Sequence, residues 1–163
     1  MSEELPAGVD PQNVLIIETT PGTIVIKLHN DIAPGHAERM KLLAREQYYD
    51  DVPFHRVIDG FMAQTGDGEH GNGTGGSSYP DLKAEFSDKP FVRGTVGMAR
   101  SRNPNSANSQ FFIMFDDGDF LNGQYTVVGE VVGGMDVVDK LKRGEPPANP
   151  DRIIKMKVAA DAK

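Results

Sequence analysis

An arginine and a glutamine stand within two short, largely apolar runs, Phe54-His55-Arg56-Val57-Ile58 and Phe61-Met62-Ala63-Gln64. A guanidinium is always charged, only donates hydrogen bonds and is shaped as a planar fork, and an amide side chain can hold it in place. Together with the aromatic and thioether groups it offers a donor-only cation beside apolar surface. The same residues also read as a plain core strand pair whose Arg56 reaches solvent or an ion pair, and the local pattern does not separate the two. Register matters here. A two-residue turn at Asp59-Gly60 pairs Arg56 with Ala63 and turns Gln64 to the opposite face. A three-residue loop, Asp59-Gly60-Phe61, pairs Arg56 with Gln64 and puts Ile58 and Met62 on one face.

Other chemistry is poorly supplied. With no cysteine in 163 residues, the chain has no disulfide, thiolate nucleophile or Cys-ligated metal. The four histidines, His29, His36, His55 and His70, lack His-Glu-x-x-His or comparable spacing, so no metal is expected. Asp116-Asp117-Gly118-Asp119 hints at calcium, but Leu121 stands where a loop beginning at Asp117 needs its next ligand. No G-x-S-x-G elbow is present. Gly66-Asp67-Gly68-Glu69-His70-Gly71 and Gly71-Asn72-Gly73-Thr74-Gly75-Gly76 both satisfy G-x-G-x-x-G. A dinucleotide site needs a strand before that motif and a helix N-terminus after it. The first copy opens only into loop and the second has neither flank. A flexible glycine loop at a rim is therefore expected, with no cofactor.

The elements that must position these residues are mostly strands. Eighteen Gly and eleven Pro imply many turns, and a 38% hydrophobic share suffices for one core. Val14–Thr19 and Thr23–His29 read as a hairpin around Thr20-Pro21-Gly22. Asp31 to Tyr48 reads as a helix, with Pro34 in its first turn and Ala37, Met40, Leu43, Ala44 and Gln47 as its apolar stripe. Phe54–Ile58 and Phe61–Thr65 form the hairpin already described. Residues 66–80 are dense in Gly and Ser, and a long irregular stretch of this kind is often functional. Strands follow at Thr95–Arg100, Gln110–Phe115, Tyr125–Val132 and Arg152–Ala159, with a short helix over Met135–Lys142. Residues 1–12 read as a loose lead-in, 13–159 as a single domain and 160–163 as a tail.

Charge and hydropathy limit the partners. A net charge of −7 argues against nucleic-acid binding, which draws on clustered Lys and Arg. No run approaches the 18 apolar residues that mark a membrane span. The acidic start, Met1-Ser2-Glu3-Glu4, lacks a basic region and an apolar one, so a cytoplasmic location is expected.

Several motifs occur in order: FHRVIDGFMAQTGD, GNGTGG, GTVGMARS, NSQFFIMF, FLNGQYTVVGEV and GMDVVDKL. From about Val14 to Val158 the chain resembles the cyclophilin family of peptidyl-prolyl cis/trans isomerases, and its bacterial members in particular. The resemblance implies a mainly β fold, a closed eight-stranded antiparallel barrel capped by two helices. It implies isomerisation of X–Pro bonds and assistance to protein folding, acting as a monomer on proline-containing peptides and unfolded or flexible chains. Carried over by motif, Arg56 is the catalytic donor and Gln64 positions it. Phe61, Met62, Phe112 and Leu121 form the proline slot. His55, Ala99, Arg100 and Gln110 lie along the peptide groove, Gly73, Thr74 and Gly75 at its rim, and Phe120 and Tyr125 beside it.

Three features depart from the common pattern. Phe120 stands where many members have Trp, Tyr125 where many have His, and the Arg100–Asn108 segment is one residue longer than in common eukaryotic members. Isomerisation should survive these changes, whereas cyclosporin should bind only weakly, because an indole N–H donor is lost. A proline-peptide binding module or holdase with little turnover is the alternative. The Arg56/Gln64 pair speaks against it, since a pure binder needs the slot but no donor on the twisted amide.

Overall fold

A computed structural model describes residues 10–161; the rest of the expected lead-in and tail lies outside the described residues. The first hairpin follows the alternation of its sequence. Strands β1 (Val14–Thr19) and β2 (Gly22–Leu28) pair antiparallel, with Leu15 opposite Ile26 and Ile17 opposite Ile24. All four side chains are fully buried, each burial worth about 1.5–3 kcal/mol.

Helix α1 spans Pro34–Arg45 and stops short of Tyr48. Gln47 adopts φ +64°, the left-handed conformation that ends many helices. Tyr48 N–H donates to the Leu43 carbonyl and Gln47 N–H to that of Ala44, closing the last turn. Its other end has no side-chain cap of its own. The Glu85 carboxylate instead accepts from Gly35 N–H at 3.2 Å and His36 N–H at 3.0 Å, placing negative charge at the positive end of the helix. Ala37, Met40, Leu43 and Ala44 pack into the core as the spacing predicts.

The remaining strands are β3 (Val52–Pro53), β4 (Arg56–Ile58), β5 (Met62–Thr65), β6 (Thr95–Met98), β7 (Phe111–Met114), β8 (Val127–Gly133) and β9 (Arg152–Val158). They form one strongly curled antiparallel sheet in the order β3-β9-β1-β2-β8-β6-β7-β5-β4. The mainly β fold with two helices is as expected, but the sheet has nine segments rather than eight strands. Its two edges, β3 and β4, are consecutive in the chain and joined through Phe54 and His55. The sheet thus comes round on itself through a broken strand rather than an unbroken hydrogen-bond ladder. Phe54 N–H turns to the Asp151 carbonyl at 2.8 Å, and the Thr65 hydroxyl donates to the Pro53 carbonyl at 2.9 Å. Helix α2 is also shorter than predicted, Met135–Val138. Beyond it the N–H groups of Lys140 and Leu141 bond three residues back, as turns.

Between β4 and β5 the longer loop is realised. Arg56 pairs with Gln64, Val57 with Ala63 and Ile58 with Met62, and Gly60 at φ +73° supplies the left-handed residue that the turn requires. Alternation then divides β5 and β7 between two apolar clusters. Ala63, Phe111 and Ile113 join the main core beneath α1. Met62, Phe112 and Met114 face the other way and pack with Phe91, Leu121 and Val127. Among the described residues no helix is long and apolar enough to cross a membrane.

Candidate active site

The second cluster floors a groove. Arg56, Phe61, Met62, Gln64, Ala99, Arg100, Phe112, Leu121 and Tyr125 line one cavity of about 140 Å³. Drug-sized sites run to about 300–1,000 Å³, so this slot suits one small ring. Met62 and Phe112 reach it because their register positions put them on the outer face of β5 and β7. Leu121 arrives on a short 3-10 turn, Asp119–Leu121. Phe112 is braced from two sides, stacked on Phe91 with centroids 5.8 Å apart and edge-on to Tyr125 at 5.9 Å. Phe120 stands at the lip, 70% exposed and 5.5 Å from the ring of Phe61.

The two arginines of the slot differ in how their guanidinium groups are used. Arg100 lies 4.3 Å above the Tyr125 ring and donates to the carbonyls of Ser101 and Gln124 at 2.9 and 2.7 Å. Arg56 donates from Nη1 to Gln64 Oε1 at 3.4 Å, the long end of the range, and from Nε to Glu145 Oε1 at 3.2 Å. Among the described residues its Nη2 donates no hydrogen bond. Gln64 in turn donates to Gln110 Oε1 at 3.0 Å, and Gln110 donates to the carbonyls of Gly73 and Gly75 at 3.1 and 2.9 Å. A chain of side-chain bonds therefore runs from Arg56 to the glycine loop.

A second cavity, of about 540 Å³, continues from the slot across Gln64, Ala99 and Arg100. Gln110 and the predicted rim residues Gly73, Thr74 and Gly75 line it. The glycine loop is ordered by an aspartate that stands among its glycines. The Asp67 carboxylate accepts N–H bonds from Glu69, His70, Asn72, Gly73 and Gly75 at 2.8–3.2 Å. Burial alone would raise its pKa, but these backbone donors outweigh that and hold it at about 2. A Cβ on Gly75 would fall 2.4 Å from Asp67 Oδ1, so the close approach needs glycine. The N–H groups that a bound phosphate would require are thus already committed within the loop.

His55 is where the sequence reading and the structure part. Like Phe120, it lines neither cavity. The break between β3 and β4 turns it inward, where it is 6% exposed and packs behind Gly73. Its ring nitrogens have no hydrogen-bond partner among the described residues. Burial lowers its pKa, against a smaller opposing effect of Asp67. Among the described residues no group of three His, Asp or Glu side chains could hold a metal ion.

The family model for cyclophilin-type peptidyl-prolyl cis-trans isomerases matches residues 14–158. The chain belongs to the cyclophilin family. This cyclophilin is 59% identical over 172 aligned residues to a probable peptidyl-prolyl cis-trans isomerase of Brucella suis, covering 96% of this chain and 88% of that one. Among solved structures it is similar to a cyclophilin of Hirschia baltica, with TM-score 0.88, 30% identity and coverage of 95% and 77% of the two chains. A cyclophilin-type isomerase of Cryptosporidium parvum, solved in the presence of the dipeptide Ala-Pro, superposes with TM-score 0.82 at 27% identity, covering 89% of this chain and 98% of that one. This cyclophilin is accordingly a peptidyl-prolyl cis-trans isomerase.

Proposed function

We propose that this cyclophilin turns X–Pro bonds in exposed or flexible chains by seating the proline ring in the small slot beneath Arg56. An X–Pro bond prefers trans only slightly, yet its partial double bond leaves a barrier of about 18–20 kcal/mol. Rotation breaks no covalent bond and transfers no proton. The twisted amide loses conjugation, its nitrogen gains lone-pair density, and a donor nearby stabilises that state more than the planar one. Arg56 is the catalytic donor. The carrying observation is its guanidinium at the lip of the apolar slot, bonded to Gln64 and Glu145 through Nη1 and Nε while Nη2 donates to none of the described residues. The peptide on the other side of the proline runs into the larger cavity past Gln110 and the Gly73–Gly75 rim.

Magnitudes show that the donor does not act alone. A millionfold acceleration corresponds to about 8 kcal/mol, and one such donor contributes about 3–4 kcal/mol. Hydrophobic seating of the proline ring and the groove's polar contacts must favour the twisted conformer too.

A protease-coupled assay on an Ala-Pro test peptide is the direct test. Arg56→Ala should lose about a hundredfold or more in kcat/KM, the usual scale for removing one preorganised donor. Its peptide Kd should change far less, since the apolar walls of the slot, Phe61, Met62, Phe112 and Leu121, are untouched. Near-normal turnover in Arg56→Ala would remove the catalytic assignment. Peptide binding by the wild type without turnover would make the groove a proline-binding module.

A further inference from the structure

Arg56 sits between two partners, and only Gln64 belongs to the motif that announced the site. The other comes from the segment after α2. Val57 and Gly144 exchange both backbone hydrogen bonds at 2.8 Å, an isolated antiparallel bridge on the free edge of β4. In antiparallel pairing that bridge sets Glu145 directly opposite Arg56, just as the β4–β5 ladder sets Gln64 opposite it on the other side. The side chains meet accordingly, Nε to Glu145 Oε1 at 3.2 Å and Nη1 to Gln64 Oε1 at 3.4 Å. A guanidinium is rigid and planar, so fixing two of its three nitrogens fixes the direction of the third.

We infer that Glu145 is a positioning residue of this isomerase, holding the Nε edge of Arg56 so that Nη2 faces the proline slot. The inference rests on Arg56 being the catalytic donor. Glu145 itself lines neither cavity, so it acts through Arg56 and not on the substrate. The ion pair is half exposed on both sides, and such pairs add little to stability. Its contribution is to restrict a long side chain that would otherwise sample several rotamers at the mouth of the groove. The carboxylate also opposes the positive field of Arg56, which makes the orienting hydrogen bond and the charge separable by substitution.

The experiment compares Glu145→Ala, Glu145→Gln and Arg56→Ala by steady-state kinetics on an Ala-Pro peptide. Thermal melts and the Nε–Hε NMR signal of Arg56 are recorded alongside. Glu145→Ala should lower kcat about five- to tenfold with KM within about twofold, on the scale of one misoriented catalytic group. Its melting temperature should stay within a few degrees of wild type, and the Arg56 Nε–Hε signal should shift or broaden. Glu145→Gln retains an acceptor oxygen and should keep more than a third of wild-type kcat. An inactive Arg56→Ala beside a Glu145→Ala variant with unchanged kcat would overturn the positioning role alone. Equal losses in Glu145→Ala and Glu145→Gln would assign the effect to charge and overturn it as well. A fully active Arg56→Ala would overturn the catalytic assignment and the positioning role together.

Discussion

Arg56 and Gln64 stand directly opposite each other in the β4–β5 ladder, on the face that also carries Met62 and Phe112. The pairing exists because Asp59-Gly60-Phe61 forms a three-residue loop; a loop one residue shorter would have turned Gln64 away from Arg56. The amide can then hold one nitrogen of the fork. Lysine offers no such fork. Arg56→Lys keeps the charge but should lose more than about tenfold in kcat/KM, because a compact ammonium on a flexible stem lacks the rigid planar fork that Gln64 and Glu145 orient. A Lys variant with near-normal rates in the coupled assay would show that charge alone suffices.

Asp67 organises the rim of the groove. Five backbone N–H groups converge on its carboxylate, and neutral Asn can satisfy only part of that set. Asp67→Asn should destabilise the fold by about 1.5–3 kcal/mol, the scale of hydrogen bonds to a charged group. It should also raise KM more than it lowers kcat, since Gln110 is tied to the Gly73 and Gly75 carbonyls of the same loop. Chemical denaturation and steady-state kinetics on the one variant check both. Unchanged stability would mean that the carboxylate is not what holds the loop.

Much of this site was legible in order along the chain. Nine of the residues named by motif converge on one slot because strand alternation places Met62, Gln64 and Phe112 on a common face. What escaped the sequence depends on contacts between distant segments. The periodicity of α1 says nothing of Glu85, which caps it from 49 residues away. Gly144-Glu145-Pro146-Pro147 belongs to none of the site motifs, and only its bridge to Val57 brings Glu145 to Arg56. His55 belongs to a run, FHRVI, that reads as one strand; Pro53 before it marks an interrupted ladder but does not tell which way His55 turns. Gln47 continues the apolar spacing of α1 yet ends the helix by adopting a left-handed conformation. The glycine motif drew attention to Gly positions, whereas the ordering group is the aspartate among them.

Phe120 projects from the lip of the slot beside Phe61. It offers ring surface but no hydrogen-bond donor, unlike the Trp that many members carry there. Cyclosporin should therefore inhibit weakly, and Phe120→Trp should tighten inhibition by about tenfold, the worth of one hydrogen bond of about 1.4 kcal/mol. Equal inhibition constants for the two forms would refute this.

Buried histidines set the acid limit of the fold while leaving the reaction alone. Burial lowers the pKa of His29, His36 and His55, and Glu130, Glu85 and Asp67 respectively oppose it only in part. In the unfolded chain each imidazole titrates near 6.5. As pH falls below that value the unfolded state takes up protons first, so stability that is complete above about pH 6.5 drains away toward the lower folded values. Asp67 adds a second loss of the same sign. Its carboxylate is held at about 2 against an ordinary 3.8, so the unfolded chain again protonates first between about pH 4 and 2. Repulsion within a chain of net charge −7 would push the other way, but at about 0.15 M salt it is screened beyond about 8 Å. The melting temperature should therefore hold nearly level from pH 7 to 8, fall from 6.5 to 5, and fall again below 4. Turnover should not follow it. Amide rotation moves no proton, and a guanidinium stays charged throughout the folded range, so kcat/KM should be nearly flat from pH 6.5 to 8. Melts and coupled assays across one buffer series at constant ionic strength check both halves. A melting temperature that rises on acidification from 6.5 to 5 would contradict the histidine argument. A steep bell-shaped rate profile would show that a titrating group takes part in the reaction, and Arg56 could not then be its principal catalyst.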